Sequence, residues 1–170
     1  MVDVPGRVDD FAGWVRPHLA AMARLAARLA PDCDRDDVVQ EALARAWTKR
    51  RQYDAARGTP SAWLLAITAD QAGKARRRAA PARRPDPPAP AAGPDGGPQA
   101  GPHGGSEDAM DVERAVRGLP ERQRLAVNCF YFAGLSVAET AAVMRCAEGT
   151  VKSTLADART RLRPLLEVTG

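Results

Sequence analysis

The sequence predicts an all-α protein of two small helical domains joined by a Pro/Gly-rich flexible linker, and three observations carry that prediction. Apolar residues recur at steps of three, four and seven on both sides of a central segment, the spacing of helix faces. No segment alternates apolar and polar residues as a half-buried strand does. Between residues 79 and 107 there are eight prolines and six glycines but no Val, Ile, Leu or aromatic residue, so that stretch cannot form a core. The predicted division is a first domain over residues 1–78, a disordered tether over 79–107 and a second domain over 108–170. As flexible coil, a tether of this length spans roughly 30 Å.

In the first domain, Val8, Phe11, Val15, Met22, Leu25 and Leu29 form one helical stripe. Pro17 interrupts it, so a kink or break is expected near Arg16. Asp34, Asp36 and Asp37 crowd the start of a second helix, where negative charge complements the helix dipole. Its buried face is expected to be Val38, Val39, Ala42, Leu43, Ala46 and Trp47. Thr59-Pro60 reads as an N-cap followed by proline at the first helical position. The helix that follows buries Trp63, Leu64 and Ile67 and runs out into Lys74 and Arg76 to Arg78.

In the second domain, Val112, Ala115 and Val116 share one side of a helix that Gly118-Leu119-Pro120 breaks. The next helix is expected to bury Leu125, Ala126, Cys129 and Phe130 and to stop at Gly134. Ser136 and Glu139 make a capping box, in which serine and glutamate satisfy opposite orphan amides. A short helix to Met144, the turn Arg145-Cys146-Ala147 and a longer helix with Val151, Leu155, Ala158 and Leu162 on one stripe follow.

Net charge is +4, too small to imply a polyanionic partner by itself, but its distribution is uneven. Residues 1–78 carry 14 basic and 10 acidic side chains, against 9 and 8 in residues 108–170. The excess concentrates at Lys49-Arg50-Arg51 and at Lys74 with Arg76-Arg77-Arg78. Catalysis finds no support: His18 and His103 lack fixed neighbours, and no Cys/His spacing suits a metal. No phosphate-cradling Gly motif sits between a strand and a helix, so no cofactor is expected. Cys33, Cys129 and Cys146 do not read as a disulfide framework. Residues 1–13 lack an apolar signal core and no apolar run approaches the roughly 20 residues of a membrane span. A reducing cytoplasm without membrane insertion is the expected location.

A short capped helix, a three-residue turn and a longer helix match the plan of a helix-turn-helix. The major groove admits one α-helix, whose outward face must be small or polar while its apolar stripe anchors it. Thr150, Lys152, Ser153, Thr154, Ala156 and Asp157 face away from the Val151–Leu162 stripe, and Arg159, Arg161 and Arg163 follow where phosphates would lie. An ordinary helical hairpin has the same periodicity, so pattern alone leaves both readings open.

Residues 135–162, LSVAETAAVMRCAEGTVKSTLADARTRL, resemble domain four of bacterial sigma factors, and LPERQR before them fits the same domain. Residues 35–78 resemble domain two: DDVVQEALARAW, a short basic loop, Trp63-Leu64 and a closing Arg run. Two such domains in this order, with nothing between but a tether, resemble the extracytoplasmic-function (ECF) subgroup of the sigma-70 family. The resemblance implies a protein that binds core RNA polymerase and directs promoter-specific initiation. It implies that Asp37, Gln40 and Glu41 dock on the β′ clamp and that domain four meets the β flap. It implies that Lys49, Arg50, Arg51, Tyr53 and Arg57 hold melted −10 DNA, with Lys74, Arg76, Arg77 and Arg78 near the adjacent duplex. Thr150, Lys152, Ser153, Thr154 and Asp157 become readers of the −35 element, with Arg159 and Arg161 on its phosphates. An anti-sigma factor that clamps both domains is a further implied partner.

The sequence departs from the family pattern at several points. Asp70 stands where an amide is usual and Ala69 where Arg is usual, so a carboxylate lies near expected phosphates. Gly73 weakens its helix by about 1 kcal/mol relative to Ala. Thr154 and Asp157 replace common arginines, and Ala147 forgoes about 1 kcal/mol of N-cap stabilisation. Two other functions are compatible with these residues: a helix-turn-helix regulator acting without polymerase, and a degenerate sigma-like interaction module.

Overall fold

The computed structural model describes residues 7–80 and 107–167. The described residues are helical without a strand. Eight α-helices follow in order: α1 Val8–Val15, α2 Leu19–Leu29, α3 Arg35–Lys49, α4 Pro60–Ala79, α5 Glu107–Arg117, α6 Glu121–Val127, α7 Val137–Met144 and α8 Glu148–Glu167. Residues 81–106, nearly all of the expected tether, lie outside the described residues.

In the N-terminal domain, the interruption expected near Arg16 is a single 3₁₀ turn, Arg16–His18, with Pro17 inside it. Phe11, Val15, Met22, Leu25 and Leu29 are buried along the resulting pair of helices. Val8, assigned to the same stripe, is 66% exposed, because a stripe's first residue has no turn beyond it to enclose it. Asp34 caps α3 by accepting from the amides of Asp36 (2.8 Å) and Asp37 (3.1 Å). Thr59 caps α4 by accepting from the amide of Ala62 (3.2 Å), and Pro60 opens that helix where no amide is needed. Leu64 and Leu65 are wholly buried where α4 crosses α2 and α3.

In the C-terminal domain, α5, α6, α7 and α8 enclose Val116, Ala126, Val127, Met144, Val151, Leu155 and Ala158. The helix expected to continue past Val127 widens into a π turn, Asn128–Phe132. There the Ala133 amide donates to the Asn128 carbonyl (2.9 Å) and the Leu135 amide to the Cys129 carbonyl (3.0 Å). Gly134 then takes a φ of +71°, a conformation that an L side chain disfavours. Tyr131 and Phe132 are thereby left exposed, at 51% and 40%.

The two domains are not independent bundles. Cys129 and Leu135 of the C-terminal domain are buried in the N-terminal core cluster, with Leu125, Ala133 and Val143 packed against it. Helix α7 lies along α4, and the π turn lies along α2. The reason is chemical: Cys129 and Leu135 are apolar positions outside the C-terminal domain's own core cluster, so burial against the neighbour removes them from water, while Leu125 packs against both cores. Periodicity identifies such positions as buried but not the domain that covers them.

Candidate nucleic-acid interface

The helix-turn-helix is built as its sequence dictates. Ser136 Oγ accepts from the Glu139 amide (3.1 Å), and the Glu139 carboxylate accepts from the Ser136 amide (2.9 Å), starting α7. Arg145 ends α7 in the left-handed conformation, φ 53° and ψ 48°, turning the chain toward α8. Val151, Leu155 and Ala158 are buried, which fixes the rotation of α8 about its axis.

That rotation presents Thr150, Lys152, Ser153, Asp157, Arg159 and Arg161 to solvent, with Thr154 half-buried. All seven residues therefore lie on or beside one outward face. Their hydrogens are partly committed: Ser153 and Thr154 hydroxyls donate to the Thr150 carbonyl (3.0 and 2.7 Å), and Arg159 Nε donates to the Leu155 carbonyl (3.3 Å). Among the described residues, Lys152 and Arg161 form no ion pair, and both side chains are exposed.

On the N-terminal domain, Asp37, Gln40 and Glu41 are exposed on α3, beside the buried Val38 and Ala42. Glu41 accepts from Arg78 (3.0 Å), which joins a residue expected at the polymerase to one expected at DNA. The basic loop is more structured than its composition suggests. Arg50 folds back, donating to the Trp47 carbonyl (2.8 Å) with its guanidinium 3.9 Å from the Trp47 ring centroid. Lys49 is half-buried, whereas Arg51 and Arg57 are exposed. Tyr53 donates its hydroxyl to the Gly58 carbonyl (3.2 Å), and its ring packs edgewise on Trp14 (5.6 Å) and Trp63 (5.4 Å). Burial, then Asp54, pushes the Tyr53 phenol above its ordinary value. Tyr53 thus braces the loop. Sequence reasoning missed Trp14, the ring that links Phe11, Tyr53 and Trp63. It lies outside the Val8–Leu29 stripe, and no local signal points to its partner Tyr53, 39 positions away.

Along α4, Lys74 pairs with Asp70 (3.1 Å), Arg76 pairs with Glu121 of the C-terminal domain, and Arg77 is exposed. The carboxylate of Asp70 is therefore matched by a cation on its own helix. Burial and the proximity of Arg76 pull the Arg124 guanidinium below its ordinary value, while Glu121 opposes them. Glu121 pairs directly with Arg76 and eases the charge of the nearby Arg124 without contacting it in an ion pair. A cleft of 1160 Å³ separates the basic loop from α7, with Lys49, Arg57 and Arg77 on one side and Glu121, Glu139 and Arg145 on the other. No helix among the described residues is long and apolar enough to cross a membrane.

Comparison with known proteins identifies both domains. Residues 14–81 match Sigma-70 region 2, and residues 109–162 match Sigma-70, region 4. The chain is 39% identical over 151 residues to the ECF RNA polymerase sigma factor SigM of Mycobacterium tuberculosis, covering 88% of this chain and 71% of that protein. It is 28% identical over 172 residues to the ECF RNA polymerase sigma factor SigK of Mycobacterium ulcerans, covering 95% and 88%. Among solved structures, the sigma factor RpoE of Bartonella quintana, in complex with the anti-sigma factor NepR, superposes with a TM-score of 0.70 at 28% identity, covering 95% of this chain and 99% of that one. With region 2 and region 4 in order, an exposed polar face on α8 and a relative of this identity and coverage, the chain belongs to the ECF RNA polymerase sigma factors.

Proposed function

We propose that this sigma factor binds core RNA polymerase through α3, reads the −35 element with α8 and holds melted −10 DNA on the loop between α3 and α4. The observation that carries this reading is the orientation of α8. Its apolar stripe is buried while Lys152, Ser153, Asp157, Arg159 and Arg161 remain outside, so a groove-sized helix carries its polar groups where base edges and phosphates would meet them. Lys152 is suited to guanine and Asp157 to the amino group of cytosine. Asp37, Gln40 and Glu41, exposed together on α3, support a separate contact to the β′ clamp. The C-terminal domain meets the β flap in this reading.

The protein acts by binding and positioning, without catalysis or cofactor, and works in the cytoplasm. An anti-sigma factor is a fitting regulator, because RpoE of Bartonella quintana is seen with one. Pull-down with core polymerase followed by run-off transcription tests the whole reading. Retention on core enzyme and a promoter-dependent transcript are expected; duplex binding without any retention on polymerase would instead make the chain a stand-alone regulator.

A further inference from the structure

The loop between α3 and α4 carries cations that composition treats as equivalent, but the structure divides them. Arg50 opens a 3₁₀ turn, Arg50–Gln52, and its guanidinium lies over the Trp47 ring while Nη1 donates to the Trp47 carbonyl. That ring meets Phe11 edgewise at 5.2 Å, and Phe11 stacks on Trp14 at 5.9 Å. Trp14 in turn meets Tyr53, whose hydroxyl donates to the Gly58 carbonyl. The loop is thus fastened at Arg50 and at Tyr53 to one continuous aromatic cluster drawn from α1, α3 and α4. Three loop amides are also taken up locally: Tyr53 donates to the Arg50 carbonyl (3.3 Å), Ala56 to the Asp54 carboxylate (2.9 Å) and Arg57 to the Asp54 carbonyl (3.0 Å). Arg51 and Arg57 differ from Arg50, because both side chains are exposed and, among the described residues, neither forms an ion pair.

We infer that this loop is set before DNA arrives, with Arg50 and Tyr53 as positioning residues that face the protein and Arg51 and Arg57 as the cations offered to the melted strand. The inference rests on the function proposed above and narrows its −10 contacts. A loop already ordered loses little conformational entropy when it captures a strand, so more of each contact goes toward opening. Stacking on a base would need Tyr53 to leave Trp14 and Trp63 and release Gly58. A phosphate would have to draw Arg50 off an aromatic face. Arg51 and Arg57 reach a phosphate without breaking an ion pair.

Hydrogen exchange of the free full-length chain, followed by NMR, tests whether the loop is set. The amides of Tyr53, Ala56 and Arg57 should exchange at least about tenfold more slowly than in an unstructured chain. Exchange at the unstructured rate would overturn the inference.

The division of roles is tested with holoenzyme on a promoter fragment that it selects from a random-sequence pool. Arg51→Ala and Arg57→Ala should each lower the slope of log affinity against log salt by about 0.7, one single-strand phosphate contact apiece. Arg50→Ala and Tyr53→Phe should leave that slope unchanged. They should instead slow strand opening, read by the permanganate reactivity of thymines, by about threefold to tenfold, the worth of one hydrogen bond. Tyr53→Phe keeps the ring, so a stacking role would leave opening at the wild-type rate. Arg50→Lys keeps the charge but loses the planar stack, and it should open as slowly as Arg50→Ala. Full-rate opening by Tyr53→Phe, or a slope lowered by Arg50→Ala and restored by Arg50→Lys, would overturn the assignment. Circular dichroism and core-polymerase retention of each variant separate slow opening from unfolding. Wild-type holoenzyme that forms no open complex would defeat the proposed function, while the exchange measurement still decides whether the loop is set.

Discussion

The Glu139 carboxylate serves two helix starts at once: it closes the capping box of α7 on the Ser136 amide at 2.9 Å and accepts the hydroxyl of Thr59, the N-cap of α4, at 2.6 Å. Thr59 Oγ1 in turn accepts from the Ala62 amide. A short chain of hydrogen bonds thus ties the N-terminus of one domain's longest helix to the first helix of the other domain's helix-turn-helix.

This arrangement predicts a pH dependence. The Thr59 hydroxyl foremost, then the Ser136 amide, hold the Glu139 carboxyl below its ordinary value; burial opposes them, and the Ser136 hydroxyl adds the least. A carboxyl depressed in the folded state adds stability above its unfolded pKa of about 4.3, and loses it as pH falls through the lower folded value. Glu139→Gln should therefore cost about 0.5–1 kcal/mol near pH 7, and the gap to wild type should close toward about pH 3. Urea unfolding of both proteins across that range measures it; a gap that widens on acidification would contradict the assignment.

Gly73→Ala should stabilise the protein by about 0.5–1 kcal/mol, raising Tm by roughly 2–4 °C. Gly73 lies in the interior of α4 without a positive φ, and a Cβ there would meet the mobile end of Arg77 at 3.5 Å, an ordinary contact. Differential scanning calorimetry is the check, and a lowered Tm would show that the glycine is needed for close approach.

Arg145→Gly should also stabilise. The left-handed backbone at this helix end costs an L residue about 1 kcal/mol, which glycine avoids. What is lost is a 3.8 Å pairing with Asp70 by a side chain 78% exposed, a contact of little weight. A rise in Tm of about 2–4 °C is expected by thermal denaturation.

Two residues on α8 should fail differently in promoter titrations with the polymerase holoenzyme. Arg161→Ala should weaken binding alike on all sequences and lower the slope of log affinity against log salt by about 1. Lys152→Ala should instead reduce discrimination at one base pair, by about 1–3 kcal/mol. Identical effects from the two variants would show that α8 does not lie in the groove as proposed.

Much of this architecture was legible beforehand because its signals are local. Asp34, Thr59-Pro60 and the Ser136–Glu139 box mark three helix starts within a few residues each, and the Val151, Leu155, Ala158 stripe fixes which side of α8 looks outward. The π turn was not legible: it depends on where Asn128 and Cys129 send their carbonyls, and the surrounding apolar spacing fits an unbroken helix equally well. Arg50 and Tyr53 were readable as a cation and a ring, but their engagement with Trp47, Trp14 and Gly58 depends on how the loop closes.

Sequence alone therefore determined the helices, their caps, the family and the residue types offered to DNA, since each follows from short-range spacing or a contiguous motif. Tertiary structure decided which charges are already spent and which apolar residues the two domains share: Arg76 on Glu121, Arg78 on Glu41, Asp70 on Lys74, and Cys129 and Leu135 inside the neighbouring core. Except for the one-turn pair of Asp70 and Lys74, these contacts join residues dozens of positions apart. Helical periodicity carries no information about which distant surface completes a buried face or neutralises a charge.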